Sequence, residues 1–248
     1  RYIYANKFWK IYKSIIPIIK KPFIKYLIKH SPIFFYKIIN HIMNLNLSKN
    51  SIEKILHKSN YITNELTYYN SLIKEWNLND NIINIISDSS IDNRIENIFG
   101  NDEYNFEEKM MVSDFLNYLP DDILCKVDRS TMYYSLESRA PFLSRDVVEL
   151  AFNLPIKYKL HKGESKLILK KILSQYLPEK LINKNKMGFG VPIGNLMKNE
   201  LKNWMQELLS QENCNKHNFF NNDTVQQTIQ NHINDKENNQ FKIWSLIQ

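Results

Sequence analysis

The sequence predicts a mainly α-helical fold. Apolar residues recur at three- and four-residue spacing through most of the chain, strand signals are few, and prolines fall at the edges of the periodic stretches. The first 45 residues divide into short helices. Pro17, Pro22 and Pro32 each stand where a helix can begin, because proline suits a first turn. Phe34, Phe35, Ile38, Ile39 and Ile42 then share a helical face. Residues 46–60 are polar and read as loop plus a short helix. Over residues 61–86, Leu66, Tyr69, Leu72, Ile73 and Trp76 line one side of a helix. Residues 87–105 read as a polar connector containing Gly100.

From Phe106 the texture changes. Met110, Met111, Phe115 and Leu119 mark an amphipathic helix that is expected to stop at Pro120. The next is expected to start at Asp121 or Asp122, since a carboxylate caps a helix start, and to end at Pro141. A third covers residues 144–153, ahead of Pro155. A fourth follows Gly163, with Leu167, Ile168, Ile172, Leu173 and Tyr176 inward, and ends at Pro178. The stretch NKNKMGFGVPIGN then holds Gly188, Gly190 and Gly194, three of the five glycines in the chain, so their clustering is not a matter of composition. Residues 196–209 predict a helix around Leu196, Leu201, Trp204 and Leu208. Residues 210–248 are rich in Asn and Gln, with a weak helix from Thr224 and an apolar end at Phe241–Ile247.

Composition bounds the function. At 248 residues and 43% hydrophobic, the chain is long enough for a real core. No apolar run reaches the ~20 residues that a membrane-spanning helix needs, and there is no secretory signal pattern after Arg1. Cys125 and Cys214 are isolated, which points to a reducing cytoplasm. The net charge of +7 is uneven: residues 1–50 hold ten Lys or Arg and no acid. Such a block either docks on an anionic surface or is a set of lysine stems lying over apolar helix faces. No nucleic-acid signature accompanies it.

Several residues are candidates for chemistry. In LPDDILCKVDRSTMYYSLESRAPFL, Lys126, Arg129 and Tyr133 share a helix face, and Asp122 precedes Lys126 by four. On the residues alone, a salt-bridged surface helix is the better reading. Glu137 and Arg139 read either as a buried ion pair bracing the helix end or as a clamp on a substrate carboxylate, which the arginine fork suits. Lys166 starts a helix, where it can sit against a phosphate or face water. Lys186 precedes the glycine cluster, so it is either a lysine carried on a loop toward a reacting phosphate or an exposed neighbour of Lys184. The six histidines are scattered, with no metal-binding motif, and no nucleophile elbow or P-loop is present.

The segment YLPDDILCKVDRSTMYYSLESRAPFL (118–143), followed in order by LPIKYKL, GESKLILKK and PEKLINKNKMGFGVPI, resembles the synthetase domain of glutamine-hydrolysing asparagine synthetases. The resemblance covers residues 106–208. It implies a helical C-terminal portion of an α/β ATP-pyrophosphatase domain (adenine nucleotide α-hydrolase-like), with the Ser-Gly-Gly-x-Asp-Ser phosphate-binding loop and most of the sheet outside these residues. Residues 1–105 would then be a variable helical region, 106–208 the motif-bearing core and 209–248 a polar tail. Exposed apolar surface is expected where the sheet would lie.

The resemblance also implies a reaction, in which ATP activates aspartate as β-aspartyl-AMP, with Mg²⁺ assisting, and ammonia from an N-terminal glutaminase domain displaces AMP. Carried onto this sequence, Lys186 stabilises the transition state and Lys166 contacts pyrophosphate. Lys126 and Arg129 line the nucleotide or aspartate side, Asp122 orients a neighbouring base, and Glu137 and Arg139 are architectural or touch substrate. ATP and Mg²⁺ are held mainly by residues outside this chain. The partners implied are aspartate, ATP and the glutaminase domain, with no nucleic acid and no membrane; a homodimer stays open. The alternatives are a relative that amidates another carboxylate in polysaccharide or peptide modification, a basic module that docks on membranes, and a non-catalytic homologue.

Overall fold

The computed structural model describes residues 2–19, 62–76, 80–84, 93–161, 163–183 and 190–248. Expectations about Pro22, Pro32, the face from Phe34 to Ile42, Lys186 and Gly188 fall outside them. Described residues are overwhelmingly helical, with one two-stranded sheet. The chain packs as two compact units, Arg1–Tyr69 with Asp92–Asn185, and Asn70–Ile91 with Lys186–Gln248.

In the first unit, α1 (Tyr2–Ile19) runs through Pro17, which lies in its last turn rather than at a helix start. Its Ala5, Trp9 and Tyr12 pack against Tyr68 and Tyr69 of α2 (Glu65–Ile73), Phe99 of α3 (Asn93–Gly100), and Phe106 and Met110 of α4 (Phe106–Ser113). The stretch read as a polar connector therefore contains a helix, whose Phe99 is buried. Aromatic rings dominate this core. Trp9 stacks on Tyr68 at 5.2 Å and on Tyr12 at 5.9 Å, and Tyr69 meets Phe99 at 5.2 Å. Such pairs add about 0.5–1.5 kcal/mol each beyond burial.

Asp114 and Lys109 are paired polar groups in this unit's core. Asp114 accepts from the Tyr69 and Tyr2 hydroxyls, both at 2.8 Å. Lys109 donates to the Phe99 carbonyl at 3.0 Å and reaches Glu65 at 3.3 Å. Asn105 and Glu108 form a reciprocal capping box that starts α4.

Sequence periodicity places a break at Pro120, but the helix continues. From Phe106 to Met132 the backbone is one helical rod, whose middle, Asp114–Leu124, is a π-helix, leading into α5 (Cys125–Met132). Proline lacks the N–H of a normal turn, and its ring clashes with the carbonyl four residues back. The wider π turn accommodates both defects without ending the helix. Helix α5 then stops well short of Pro141, at Met132, and Ser135 adopts a left-handed conformation at φ 57°.

Beyond it come a 3-10 turn at Pro141–Leu143, α6 (Arg145–Asn153), α7 (Ile156–Lys159) and a hairpin of β1 (Leu160–His161) and β2 (Glu164–Ser165). The hairpin register pairs Leu160 with Ser165 and His161 with Glu164, and Gly163 supplies the positive φ of 87° that its turn requires. Helices α8 (Leu167–Leu173) and α9 (Glu179–Ile182) follow.

In the second unit, α10 (Ile193–Lys198) and α11 (Lys202–Leu208) replace the single helix expected over residues 196–209. They pack with α12 (Gln211–His217), α13 (Asn222–Ile233) and α14 (Gln240–Ile247) around Met197, Met205, Val225, Ile229 and Ile243, each 1% exposed or less. The Asn/Gln-rich end of the chain thus carries three helices. Two of them begin on side-chain caps, Ser210 accepting from the Asn213 N–H and Asn221 from the Thr224 N–H. Trp76 joins this core's edge, its Nε1 donating to Ser245 Oγ at 2.9 Å. No helix among the described residues is long and apolar enough to cross a membrane.

Candidate functional site

The π segment and α5 carry three of the predicted site residues. Asp122 lies on the π segment and Lys126 one turn later on α5, and their side chains pair at 3.3 Å with both about half exposed or more. The pair thus spans the junction between wide and normal turns. Arg129, on the same helix, is exposed, and its guanidinium has no hydrogen bond or ion pair among the described residues. A cation in that state is available to a phosphate or carboxylate.

Glu137 and Arg139 pair at 2.8 Å, but with side chains 65% and 83% exposed. The reading of this pair as buried is therefore corrected. The chain leaves α5 at Tyr133 and runs without regular structure to Ala140, so no packed layer closes over these two residues.

Lys166 caps the start of α8 in a left-handed conformation, φ 59° and ψ 36°, instead of sitting in the first turn. Such a backbone is uncommon outside glycine, asparagine and aspartate. Its ammonium is exposed and makes no ion pair among the described residues. No hydrogen bond or ion pair links the Asp122–Lys126 pair, the Glu137–Arg139 pair and Lys166 to one another among the described residues.

A cavity of about 260 Å³ in the first unit, which no sequence pattern signals, is lined by Met111, Phe115, Leu143, Val148 and Phe152 among others. Glu108 and Lys159 are its two charged residues. Burial lowers the Lys159 ammonium from its ordinary range, and the Glu108 carboxylate partly offsets that. None of the predicted site residues lines the cavity. Of its lining residues Phe142 and Leu143 belong to the YLPDD…APFL stretch, and outside that stretch Phe115 meets Phe152 edge-on at 5.2 Å.

Lack of burial is the common property of the middle of the motif-bearing region. From Phe115 to Asn183 no described residue is buried. Tyr134, Leu136, Phe142, Leu150 and Leu181 are all more than half exposed. This agrees with the expectation of uncovered apolar surface. The described acidic and histidine residues form no cluster of three or more that suits a metal ion. Among the described residues, Arg129 and Lys166 are exposed cations suited to an anionic group, and no cluster suits a metal ion.

The comparisons with known proteins point to the same family as the motifs. The chain is 34% identical over 144 residues to asparagine synthetase [glutamine-hydrolyzing] 1 of Bacillus subtilis (strain 168), an alignment that covers 58% of this chain and 22% of that protein. It is 26% identical over 122 residues to asparagine synthetase [glutamine-hydrolyzing] 3 of the same organism, covering 49% of this chain and 19% of the relative. The match thus spans about a fifth of the length of these relatives. No solved structure matches the chain. The family model for asparagine synthase matches residues 26–248, nearly the whole chain, and the chain belongs to the asparagine synthase family.

Proposed function

We propose that the protein containing this chain converts aspartate to asparagine at the expense of ATP, with glutamine-derived ammonia as the nitrogen donor. The observation that carries this reading is the family match over residues 26–248, within which the four motif blocks stand in order. In the proposed reaction the aspartate side-chain oxygen bonds to the α-phosphorus of ATP, and the bond to pyrophosphate breaks. Ammonia then adds to the acyl carbon of β-aspartyl-AMP, loses a proton, and AMP leaves. Both steps gather negative charge on phosphate oxygens and on a tetrahedral carbon centre, and fixed cations lower that cost.

In this reading Lys186 meets the developing charge, Lys166 holds pyrophosphate, and Lys126 with Arg129 lines the nucleotide or aspartate side. Asp122 keeps Lys126 oriented through their ion pair. Glu137 and Arg139 lie furthest from the chemistry. An ATP-pyrophosphatase sheet, covering the apolar face between Phe115 and Leu181, would bring the scattered cations to one cleft. Mg²⁺, when bound, would neutralise the phosphates, and its ligands belong to other parts of the protein. A cytoplasmic setting and a glutaminase domain in the same polypeptide complete the proposal.

The test uses the full-length protein with ATP, Mg²⁺, aspartate and ammonia, and measures AMP, pyrophosphate and asparagine, with Lys186→Ala alongside. Equal yields of AMP and asparagine, lost together by about 10²-fold or more in the variant, support the reading. AMP formed only with a different acid would show that the substrate is wrong.

A further inference from the structure

Gly194 ends the glycine-rich stretch and opens helix α10, and the C-terminal residues hold its backbone from both sides. Its N–H donates to Gln240 Oε1 at 3.0 Å. Its carbonyl lies 3.2 Å from His232 Nε2, and because a carbonyl only accepts, that nitrogen carries the hydrogen. His232 is 1% exposed, and its Nδ1 has no partner among the described residues. A Cβ at Gly194 would stand 2.6 Å from Gln240 Oε1 and 3.3 Å from Gln240 Cβ, so the absence of a side chain is what admits the clamp. A second tie lies alongside it: Lys198, the last residue of α10, pairs with Asp235 just past α13.

An imidazole buried with one bare nitrogen is costly compared with an aliphatic side chain of similar size. What this ring provides that an aliphatic side chain cannot is a hydrogen bond to one particular peptide. That peptide closes the glycine-rich stretch NKNKMGFGVPIGN, while both clamping residues belong to the Asn/Gln-rich end of the chain. We propose that His232 and Gln240 are positioning residues, which fix the Gly194 backbone and so set where the glycine-rich stretch that carries Lys186 is anchored. This rests on the reading of that stretch as the element that meets the reacting phosphate.

The experiment is AMP formation by the full-length protein, with Gln240→Ala, Gln240→Glu, Gly194→Ala, the double variant Gly194→Ala/Gln240→Ala and Lys186→Ala. Gln240 is half-buried, so its variants are expected to fold, which His232 variants need not do; a thermal melt confirms it. Misplacing a reacting group costs up to about 10²-fold in rate, so Gln240→Ala and Gly194→Ala are expected to lower kcat at least ~10-fold, with KM for ATP changed less than ~3-fold. Gln240→Glu keeps an oxygen acceptor and should recover most of kcat. The double variant should be no slower than the worse single one, because both changes break the same contact. Undiminished kcat in Gln240→Ala and Gly194→Ala, beside a dead Lys186→Ala, would overturn the positioning role alone. Full activity in Lys186→Ala would instead remove the reading of the stretch, and the positioning role with it.

Discussion

The stretch from Phe115 to Asn183 and the stretch from Leu209 to Gln248 are built in opposite ways. The first carries the family's motifs and many large apolar side chains, yet none of its described residues is buried. The second is dominated by Asn and Gln, yet contributes Leu209, Cys214, Val225, Ile229 and Ile243 to a closed core. Burial is a property of what stands opposite a side chain, and composition does not report it. A few apolar residues at four-residue spacing, such as Val225 and Ile229, suffice when α10 and α11 present Met197 and Met205 to them. A longer apolar series stays open when no layer faces it.

The sharpest way to break this comparison is to place a charge on each side of it. Ile243→Asp puts a carboxylate into a site that is 0% exposed, and the second unit should lose its fold, because an unpaired buried charge costs several kcal/mol. Leu181→Asp, at a residue 61% exposed, should shift stability by no more than about 0.5 kcal/mol in this 248-residue chain. Circular dichroism and denaturant unfolding measure both. Loss of more than about 2 kcal/mol in Leu181→Asp would mean that the open face is already covered.

A second test concerns the polar part of the first unit's core. Asp114→Ala removes the carboxylate that accepts from the Tyr69 and Tyr2 hydroxyls. The expected loss is about 1.5–3 kcal/mol, the range for hydrogen bonds to a charged acceptor. In a Tyr69→Phe background the same change should cost clearly less, as the Tyr69 hydroxyl bond is already gone. Equal losses in both backgrounds would show that the carboxylate acts through some other contact.

Much of the helical content was legible because its signals are local. Arg145–Asn153 lies within the expected 144–153, and Asn105 and Glu108 make the reciprocal cap that starts the helix read from Phe106. Two readings failed where the outcome depends on how backbone defects are absorbed. Pro120 was expected to end a helix, and Pro17 to begin one, yet both lie inside helices. The Glu137–Arg139 pair could be named from spacing, but whether a layer closes over it depends on distant chain, and it lies open. The cations of the site were visible as residue types. The His232–Gly194–Gln240 clamp was not, because it joins residues 38 and 46 positions apart with no periodic pattern.

Alkaline pH separates the first unit's closed aromatic core from its open remainder. Burial pushes the Tyr68 hydroxyl up to about 12, while it donates to the Ala5 carbonyl at 3.2 Å. The folded state therefore holds this proton after the unfolded chain has released it. Its contribution to stability is complete below pH ~10, the ordinary tyrosine value, and declines as pH rises toward about 12. Absorbance at 295 nm should show tyrosine ionisation near pH 12, and Tyr68→Phe should reduce it. A Tyr133 or Tyr134 variant should leave that ionisation in place, as both rings are more than 70% exposed.

The smallest effect is expected at the proposed site itself. Lys126 and Asp122 are joined by one 3.3 Å contact, with side chains 64% and 50% exposed. Water and salt screen a pair of this kind, so Lys126→Ala should change stability by less than about 1 kcal/mol, and by still less at high ionic strength. Activity of the full-length protein is the contrasting measure. If Lys126 lines the nucleotide or aspartate side of the cleft, the same variant should lower kcat/KM by ~10-fold or more, a loss of about 1.4 kcal/mol or more in transition-state binding. A residue that contributes little to folding and much to turnover is held there for its chemistry. If stability and turnover both stay unchanged, Lys126 is a solvated helix residue and the phosphate-facing assignment passes to Lys166 and Lys186 alone.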